Sequence, residues 1–280
     1  MQVRRFLDRG SFLGRAEAFL MRAEVENIVM LSLGEPPGAP SPPLGEDSYL
    51  AVVEDGGEVV ACALRVPPDR VLISRARQDA LEHLVGDLAS KYTTLPGVHG
   101  PEPDVSQFAE LWSRRLGTPA RLGMRLRLFE TRGVEPREAR PSGTLRVAEE
   151  VDLPTIAEWA RAFHSDADPY NPSDPDEEAR RRVGRRSVFV WDDGRPVSMA
   201  AWAGRTGRGV RVNFVYTPPE YRRRGFASAC VADLTQRLLT EGHAFCCLFT
   251  DLANPTSNSI YQKIGYRPVC DMSDFILNAG

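Results

Sequence analysis

Hydrophobic and polar positions in the second half of the sequence follow patterns that predict an ordered series of strands and helices. Short apolar or alternating runs predict strands at 145–148, 187–191, 196–202, 209–215, 244–250, 266–270 and 274–277. Apolar residues at helical spacing predict helices at 152–163, 176–183, 226–240 and 255–264. The helix 226–240 is the clearest, because its apolar residues recur on one face and Gly242 follows its end.

The first half repeats this order of elements. Strands are predicted at 48–53, 58–65, 71–74, 97–100 and 122–129, and helices at 78–90 and 105–116. Proline and glycine interrupt the pattern at 35–46, which predicts a loop, and again from residue 132, which predicts a linker. The sequence therefore predicts an α+β protein of two tandem domains, 1–132 and 144–280, joined by a linker at 133–143.

Composition places the chain among globular proteins. Of its 280 residues, 42% are hydrophobic and 26% charged, and the net charge of −3 argues against a nucleic-acid or anionic-membrane partner. No apolar stretch approaches the ~20 residues that span a bilayer, and we read no signal peptide at the start. The five cysteines form no Cys-x-x-Cys pair or Cys/His cluster. We therefore expect reduced thiols, no metal and a cytoplasmic location.

The segment 214–228 carries the first candidate for chemistry. Pro218 and Pro219 end a strand, and the chain then passes through Arg223, Arg224 and Gly225 into an amphipathic helix. A helix N-terminus presents unpaired N–H groups and about half a positive charge, and glycine lets the backbone approach a ligand. The segment is either a site for a diphosphate-like anion or an ordinary strand-to-helix turn on a charged surface.

The second candidate is the polar segment 251–266. Asn254 followed by Pro255 fits an N-cap and the first turn of a helix. Asn254, Asn258 and Tyr261 are spaced to lie along one side of that helix. Two of them also have structural explanations, which are capping for Asn254 and the packing of a half-buried aromatic ring for Tyr261.

In these two motifs and in the order of its elements from 145 to 277, the chain resembles the GNAT superfamily of acyl-CoA-dependent N-acyltransferases. Residues 222–227 are similar to the family's Gln/Arg-x-x-Gly-x-Gly/Ala pyrophosphate loop, and residues 254–266 are similar to its Asn…Asn…Tyr…Gly-Phe/Tyr segment. The first half resembles the same fold. The whole chain therefore resembles a tandem GNAT protein, which implies a mixed, mostly antiparallel sheet flanked by helices in each domain.

The resemblance implies a role for each motif residue. Backbone groups of Val215, Tyr216 and Thr217 would pair with the pantetheine arm of acetyl-CoA. Asn254 and Asn258 would contact that arm near the thioester, and Tyr261 would protonate the departing thiolate. The pyrophosphate would be held by the backbone amides of Arg223, Arg224, Gly225, Phe226, Ala227 and Ser228.

These residue types suit direct transfer to an amine, which needs no enzyme nucleophile. A backbone N–H such as that of Val215 can stabilise the oxyanion, and a tyrosine of pKa about 10 can protonate a thiolate of pKa about 8.5. The strand 210–214 lacks the carboxylate that is common in the family. The general base stays open among Glu220, Asp251, the loop 166–168 and ordered water.

Other polar residues carry weaker signals. The first half has no glycine in 75–80, where a phosphate loop would lie, so we expect it to bind no CoA and to shape the acceptor cleft. The arginines at 180–182 and 185–186 could contact phosphates, but a solvated helix face is favoured. The four histidines are expected to be structural or on the surface: His83, His99, His164 and His243.

The sequence thus predicts N-acetyl transfer from acetyl-CoA, as co-substrate, to a primary amine of a small molecule or peptide. One alternative is a CoA-binding regulatory protein without turnover, which the missing strand carboxylate favours. Another is transfer of a longer acyl group, which depends on the pocket depth around Phe214 and Cys247. Acceptor choice is expected to lie with residues 163–186 and the first half, and no oligomeric state is predicted.

Overall fold

The computed structural model describes residues 1–32, 44–136, 140–167 and 173–278. Most of the predicted loop 35–46 lies outside these residues, as do part of the linker and Asp168 of the loop 166–168. The chain divides into two compact units: unit 1 contains Met1–Leu128 and Val269–Gly280, and unit 2 contains Phe129–Pro268.

Unit 1 is a mixed sheet with helices packed on it. Its strands are β1 (Gln2–Arg5), β2 (Tyr49–Asp55), β3 (Glu58–Arg65), β4 (Val71–Ile73), β5 (Gly97–Pro101), β6 (Arg121–Thr131), which continues into unit 2, and most of β12 (Arg267–Ile276). Its helices are α1 (Arg9–Leu20), α2 (Ile28–Leu31), α3 (Gln78–Lys91) and α4 (Asp104–Leu116). Strands run in the order β1-β2-β3-β4-β5-β12, and only the pair β4–β5 among these is parallel. One core cluster includes side chains of α3 and α4, and another includes those of α1 and α2.

Unit 2 repeats this plan. Its strands are β7 (Thr144–Val147), β8 (Val188–Asp192), β9 (Pro196–Arg205), β10 (Gly209–Tyr216) and β11 (Phe245–Asp251). Its helices are α5 (Leu153–Ala167), α6 (Pro175–Gly184), α7 (Phe226–Thr240) and α8 (Pro255–Ile264). Strands run in the order β11-β10-β9-β8-β7, with β10 and β11 parallel and the other pairs antiparallel. The side chains of α7 and α8 join one core cluster and those of α5 and α6 another. The predicted α+β class, with a mixed sheet flanked by helices in each half, is confirmed.

The end of the chain differs from the prediction. Residues 266–277 were expected to form two strands within the second domain, but β12 is one strand. Its residues Met272–Ile276 pair antiparallel with Pro101–Gly97 of β5, which assigns them to unit 1. The predicted domain 144–280 is therefore corrected. The strand β1, which pairs with β2, was not anticipated.

Gly100 marks a close approach of β5 to β4 in unit 1. A Cβ atom at this position would lie 2.5 Å from Ile73 Cγ1 and 3.1 Å from the Ile73 carbonyl oxygen. We expect Gly100→Ala to lower the free energy of unfolding by about 1–3 kcal/mol, because a packed strand pair must move apart.

The matched control is Gly86→Ala in α3, where a Cβ meets nothing within 4 Å. There the helix should gain about 0.5–1 kcal/mol. Urea denaturation of both variants checks the pair, and equal effects would contradict the close approach.

Candidate functional site

In unit 2 the parallel strands β10 and β11 pair at one end and part at the other. Their register joins Gly209 to Phe245, Val210 to Cys246 and Arg211 to Cys247, and it stops there. Both strands continue, β10 to Tyr216 and β11 to Asp251. Within residues 173–278, all of which are described, this leaves a wedge between the C-terminal ends of β10 and β11. Backbone groups that face this wedge have no strand partner across it.

A β-bulge shapes the β10 side of the wedge. The register with β9 passes from Asn213–Ala201 to Tyr216–Met199, so Phe214 and Val215 together oppose one residue of β9. Phe214 has a φ of 55°, in the left-handed region, which costs a non-glycine residue about 1–2 kcal/mol. Its ring is 2% exposed. The bulge removes Val215 from regular pairing, which makes its N–H a candidate donor to a ligand in the wedge.

The predicted phosphate loop leads from β10 into α7. Gly225 is the N-cap of α7 with a φ of 81°, and no side chain caps this helix. Because Ala229 N donates to Gly225 O at 2.9 Å, the N–H groups of Phe226, Ala227 and Ser228 are the ones without an acceptor inside the helix. Residues 222–225 are exposed. Four turns of helix therefore end in open N–H groups on the surface, a suitable site for an anion.

The arginines of this loop differ in their contacts. Arg222 lies 3.2 Å from Asp166 Oδ2 and donates to the Thr217 carbonyl oxygen at 2.9 Å. Arg224 lies over the Phe226 ring, with 4.8 Å from Cζ to the ring centroid. Neither Arg223 nor Arg224 forms an ion pair with a carboxylate in the described part of the chain. Their charge is thus available to an anion at the α7 N-terminus.

The two asparagines of the second motif hold the start of α8. Asn254 Oδ1 accepts from Ser257 N at 3.1 Å, so the capping explanation applies to Asn254. Asn258 Nδ2 donates to the carbonyl oxygens of Asp251 and Asn254, at 2.9 and 2.7 Å. Asn258 Oδ1 is buried and has no hydrogen-bond partner among the described residues. An unpaired buried acceptor is costly, and a ligand that donates a hydrogen bond would satisfy it.

Tyr261 is more deeply buried than the sequence suggested. It is 8% exposed and belongs to the core cluster under α7 and α8, with its ring centroid 6.1 Å from that of Tyr266. Burial raises the pKa of its phenol to about 12. No hydrogen bond from its hydroxyl to another described residue is present, whereas Tyr266 Oη lies 2.7 Å from Thr235 Oγ1. Tyr261 is therefore a protonated phenol whose hydroxyl has no hydrogen-bond partner among the described residues.

Two of the three backbone positions expected to pair with the pantetheine arm already have partners. The Tyr216 carbonyl oxygen accepts from Ser198 Oγ at 3.2 Å, and the Thr217 carbonyl oxygen accepts from Arg222 Nε at 2.9 Å. A carbonyl oxygen can accept a second hydrogen bond. Val215, which lies in the bulge, is the least constrained of the three.

The candidate general bases do not form one buried cluster. Asp251 Oδ1 accepts from Ala253 N at 2.8 Å and so holds the turn before α8. Asp166 pairs with Arg222. Glu220 is exposed on the short turn before the loop, and Asp168 lies outside the described residues. Asp251 and Asp166 thus already have partners within the structure, a hydrogen-bond donor for the first and an arginine for the second.

The arginine-rich helix corrects one expectation. Arg180, Arg181, Arg185 and Arg186 are exposed, as a solvated face requires, but the Arg182 side chain is only 13% exposed. It lies 2.7 Å from Glu178 Oε1. The sequence does contain a signal for this pair, because Glu178 and Arg182 are four residues apart on α6. Arg182 points to β10, since its Nη1 donates to Asn213 Oδ1 at 3.4 Å.

The equivalent β-α-β segment of unit 1 is closed. At the end of β4 and β5 there is no room for a Cβ between Gly100 and Ile73. Near the α3 N-terminus, Ala76 N donates to Asp104 Oδ1 at 3.1 Å and Ala80 N to Asp79 Oδ1 at 2.9 Å. One of the first N–H groups of α3, that of Ala80, thus already has a carboxylate acceptor from the chain itself.

The arginines beside this helix are neutralised as well. Arg75 lies 2.7 Å from Glu26 Oε2, and Arg77 lies 2.8 Å from Asp55 Oδ2 and 3.1 Å from Asp79 Oδ2. Unit 1 therefore lacks both an open wedge and free cationic charge at this position.

Across residues 1–32, 44–136, 140–167 and 173–278, no helix has the length and apolar character needed to cross a membrane. Over the same ranges, no group of three or more His, Cys, Asp or Glu side chains could hold a metal ion. The five cysteines, all described, are free thiols, and burial raises the pKa of Cys246 to about 12.

Comparison with known proteins agrees with this architecture. Residues 191–273 match the model of the family described as FR47-like protein. No curated protein matches the sequence.

Solved structures match over nearly the whole chain. A GCN5-related N-acetyltransferase from Sphaerobacter thermophilus is 17% identical, with 98% of this chain and 94% of that one covered and a TM-score of 0.63. A GNAT-family acetyltransferase from Colwellia psychrerythraea is 11% identical, with coverages of 99% and 100% and a TM-score of 0.59. A tandem GNAT protein from the clavulanic acid biosynthesis pathway is 14% identical, with coverages of 98% and 97% and a TM-score of 0.52.

These likenesses show the fold of the chain. The fold of the chain is similar to that of GNAT-family acetyltransferases of known structure, with two GNAT-like units, and residues 191–273 match the FR47-like family model.

Proposed function

We propose that unit 2 transfers an acetyl group from acetyl-CoA directly to a primary amine of a small molecule or peptide. The observation that carries this proposal is the junction of two features: the wedge between β10 and β11 opens at the end of β10, and the uncapped α7 N-terminus follows on the same chain. An extended arm with a diphosphate at one end matches such a junction, because the wedge offers unpaired backbone groups and the helix offers N–H groups and positive charge.

The residues present fit an acyl-CoA. The loop holds Arg223 and Arg224 without described carboxylate partners, and Gly225 provides a backbone conformation that leaves the N–H groups exposed. Asn258 Oδ1 supplies a buried acceptor for an amide N–H of the pantetheine arm. Acyl-CoA brings an activated thioester carbonyl to this wedge.

The chain's own groups would then act on the two charges of the reaction. The Val215 N–H, freed by the bulge, would donate to the oxygen of the attacked carbonyl. The Tyr261 hydroxyl would hold a proton for the leaving sulfur, since its pKa of about 12 lies above that of a thiol. Buried aromatic side chains around Phe214 would keep water from the acyl group.

Release of free thiol from acetyl-CoA in the presence of a panel of primary amines tests this function. We expect thiol release that depends on both the enzyme and the amine, together with binding of acetyl-CoA by calorimetry. Binding without thiol release for any amine would favour the regulatory alternative, for which the absence of a carboxylate on strand 210–214 is the supporting observation. Longer acyl-CoA donors in the same assay test the acyl length.

Unit 1 is expected to bind no acyl-CoA. Its β4–β5 end is closed at Gly100, Asp79 accepts from Ala80 N in the first turn of α3, and Asp104 accepts from Ala76 N just before that helix. Calorimetric titration of the whole chain should therefore give one acetyl-CoA per chain. A stoichiometry of two would contradict this prediction.

A further inference from the structure

A chain of buried polar side chains in unit 2 leads from α5 through α6 to the strand β10. His164 Nε2 lies 2.7 Å from Glu178 Oε2, and Arg182 Nε donates to Glu178 Oε1 at 2.8 Å. Arg182 also donates to Asn213 Oδ1 at 3.4 Å. The side chains of His164, Glu178 and Arg182 are 10%, 6% and 13% exposed. A buried ion pair is weak evidence for stability. The contacts of the Glu178–Arg182 pair with β10 indicate another role.

The end of this chain of contacts is the bulge. Arg182 Cζ lies 4.5 Å from the centroid of the Phe214 ring, and the Phe163 ring meets Phe214 edge-on at 5.2 Å. Phe214 keeps a left-handed φ of 55° although it is not glycine. A strained backbone persists only where its surroundings fix it. Arg182 contacts the first residue of the bulge, Phe214, through its ring and the residue before the bulge, Asn213, through its side-chain oxygen.

Glu178 in turn fixes the guanidinium. Its Oε1 accepts from Arg182 Nε, and its Oε2 faces His164. Burial alone would raise the pKa of Glu178, but the Arg182 charge and the His164 hydrogen bond outweigh it and hold the pKa below its ordinary value. The carboxylate therefore stays charged at neutral pH and keeps the Arg182 plane over the Phe214 ring, a cation–π arrangement that is strengthened by desolvation.

We propose that Arg182, oriented by Glu178, is a positioning residue that maintains the Phe214 bulge and so sets the opening of the β10–β11 wedge for the acyl-bearing arm. This inference rests on the proposed function, because it assigns the acyl-CoA arm to the wedge. Without the bulge, β10 would fall into regular register with β9, and the side chains and N–H groups that follow Phe214 would change face. The phosphate loop follows the bulge in sequence, and its conformation depends on Gly225.

The test separates the arm from the nucleotide. Calorimetry with acetyl-CoA reports the wedge and the loop together, and calorimetry with adenosine 3′,5′-bisphosphate, which lacks the arm, reports the nucleotide end alone. The variant is the double replacement Glu178→Gln with Arg182→Met, which removes both charges and keeps a side-chain amide as the hydrogen-bond partner of buried His164. Arg181→Met is the matched control, because Arg181 is exposed on the same helix.

We expect the double variant to bind acetyl-CoA about tenfold more weakly, since a preformed wedge is lost. Its affinity for adenosine 3′,5′-bisphosphate should stay within about twofold, because the loop keeps its hydrogen-bond donors. Arg181→Met should match the wild type with both ligands. Should the double variant fail to fold, Arg182→Lys replaces it, because lysine keeps the charge but not the planar stack on Phe214.

The outcomes are distinct. Unchanged acetyl-CoA affinity in the folded variant overturns the positioning role and leaves the proposed function standing. An equal loss with both ligands also overturns it, because the effect is then not confined to the wedge. If the wild type binds adenosine 3′,5′-bisphosphate but not acetyl-CoA, the proposed function falls and this role falls with it.

Discussion

Replacing Tyr261 by phenylalanine is expected to lower amine-dependent thiol release by about 100-fold or more, because a positioned proton donor contributes 10²–10⁴-fold to a reaction. Affinity for acetyl-CoA and the free energy of unfolding should change little. The Tyr261 hydroxyl makes no hydrogen bond to another described residue, so its removal leaves none of the described groups without a partner. Steady-state thiol release and calorimetry measure the two quantities.

The control is the neighbouring Tyr266→Phe. Its hydroxyl lies 2.7 Å from Thr235 Oγ1 in the core, so this variant should lose about 1 kcal/mol of stability and keep its turnover. Tyr261→Phe is thus expected to lower turnover and keep stability, whereas Tyr266→Phe is expected to lower stability and keep turnover. Equal turnover in Tyr261→Phe and the wild type would remove Tyr261 from the mechanism and reduce it to the packing aromatic that the sequence also allowed.

The pH profile offers an independent check on Tyr261. A raised pKa keeps a phenol protonated to higher pH, and burial places this pKa at about 12. Wild-type turnover should therefore show no loss from tyrosine ionisation near pH 10, where an exposed phenol ionises. An alkaline limb near pH 10 that disappears in Tyr261→Phe would contradict the burial of this side chain.

Gly225→Val is expected to weaken acetyl-CoA binding by about 100-fold or more. Valine is disfavoured at the φ of 81° that Gly225 adopts, so the turn would relax and at least two N–H groups would leave the anion. Each hydrogen bond to a charged group contributes about 1.5–3 kcal/mol, and 1.4 kcal/mol corresponds to about a factor of ten. Calorimetry with acetyl-CoA measures the loss.

Gly242→Val provides the matched control for this variant. Gly242 has a φ of 103° and open space for a Cβ, just beyond the opposite end of α7. Both variants should lose about 1–2 kcal/mol of stability for the same conformational reason. Only Gly225→Val should lose affinity, and a similar loss in Gly242→Val would show that binding follows general stability instead of the loop.

Local patterns predicted those elements whose signals lie within the element itself. The helix 226–240 was predicted to the residue, because its apolar face is regular and glycine lies at both ends. The same holds for 255–264, where Asn254 and Pro255 mark the start and Gly265 the end. Each candidate motif begins just before one of these helices and continues into it, which is why its position in the fold could be predicted from the sequence.

Long-range pairing could not be predicted in the same way. The sequence analysis predicted two strands at 266–270 and 274–277, where the structure has the single strand β12. In the structure Asp271 forms an ion pair with Arg127 at 2.7 Å, and β12 pairs with β5, far away in sequence. Arg182 was misread for a related reason, since three successive arginines look alike until β10 supplies Asn213 and Phe214 as neighbours for one of them.

The separation of β12 from its partner has a consequence for synthesis on the ribosome. His99 of β5 and its contact Asp274 of β12 are 175 positions apart, a distance that a translating ribosome covers in roughly 10–35 s. During this interval the nascent chain would carry β5 with one unpaired backbone edge, which is a template for aggregation. A truncated chain that ends before residue 269 would keep this unpaired edge of β5. We expect cellular quality control to degrade such a chain, although it would contain all of the candidate catalytic residues.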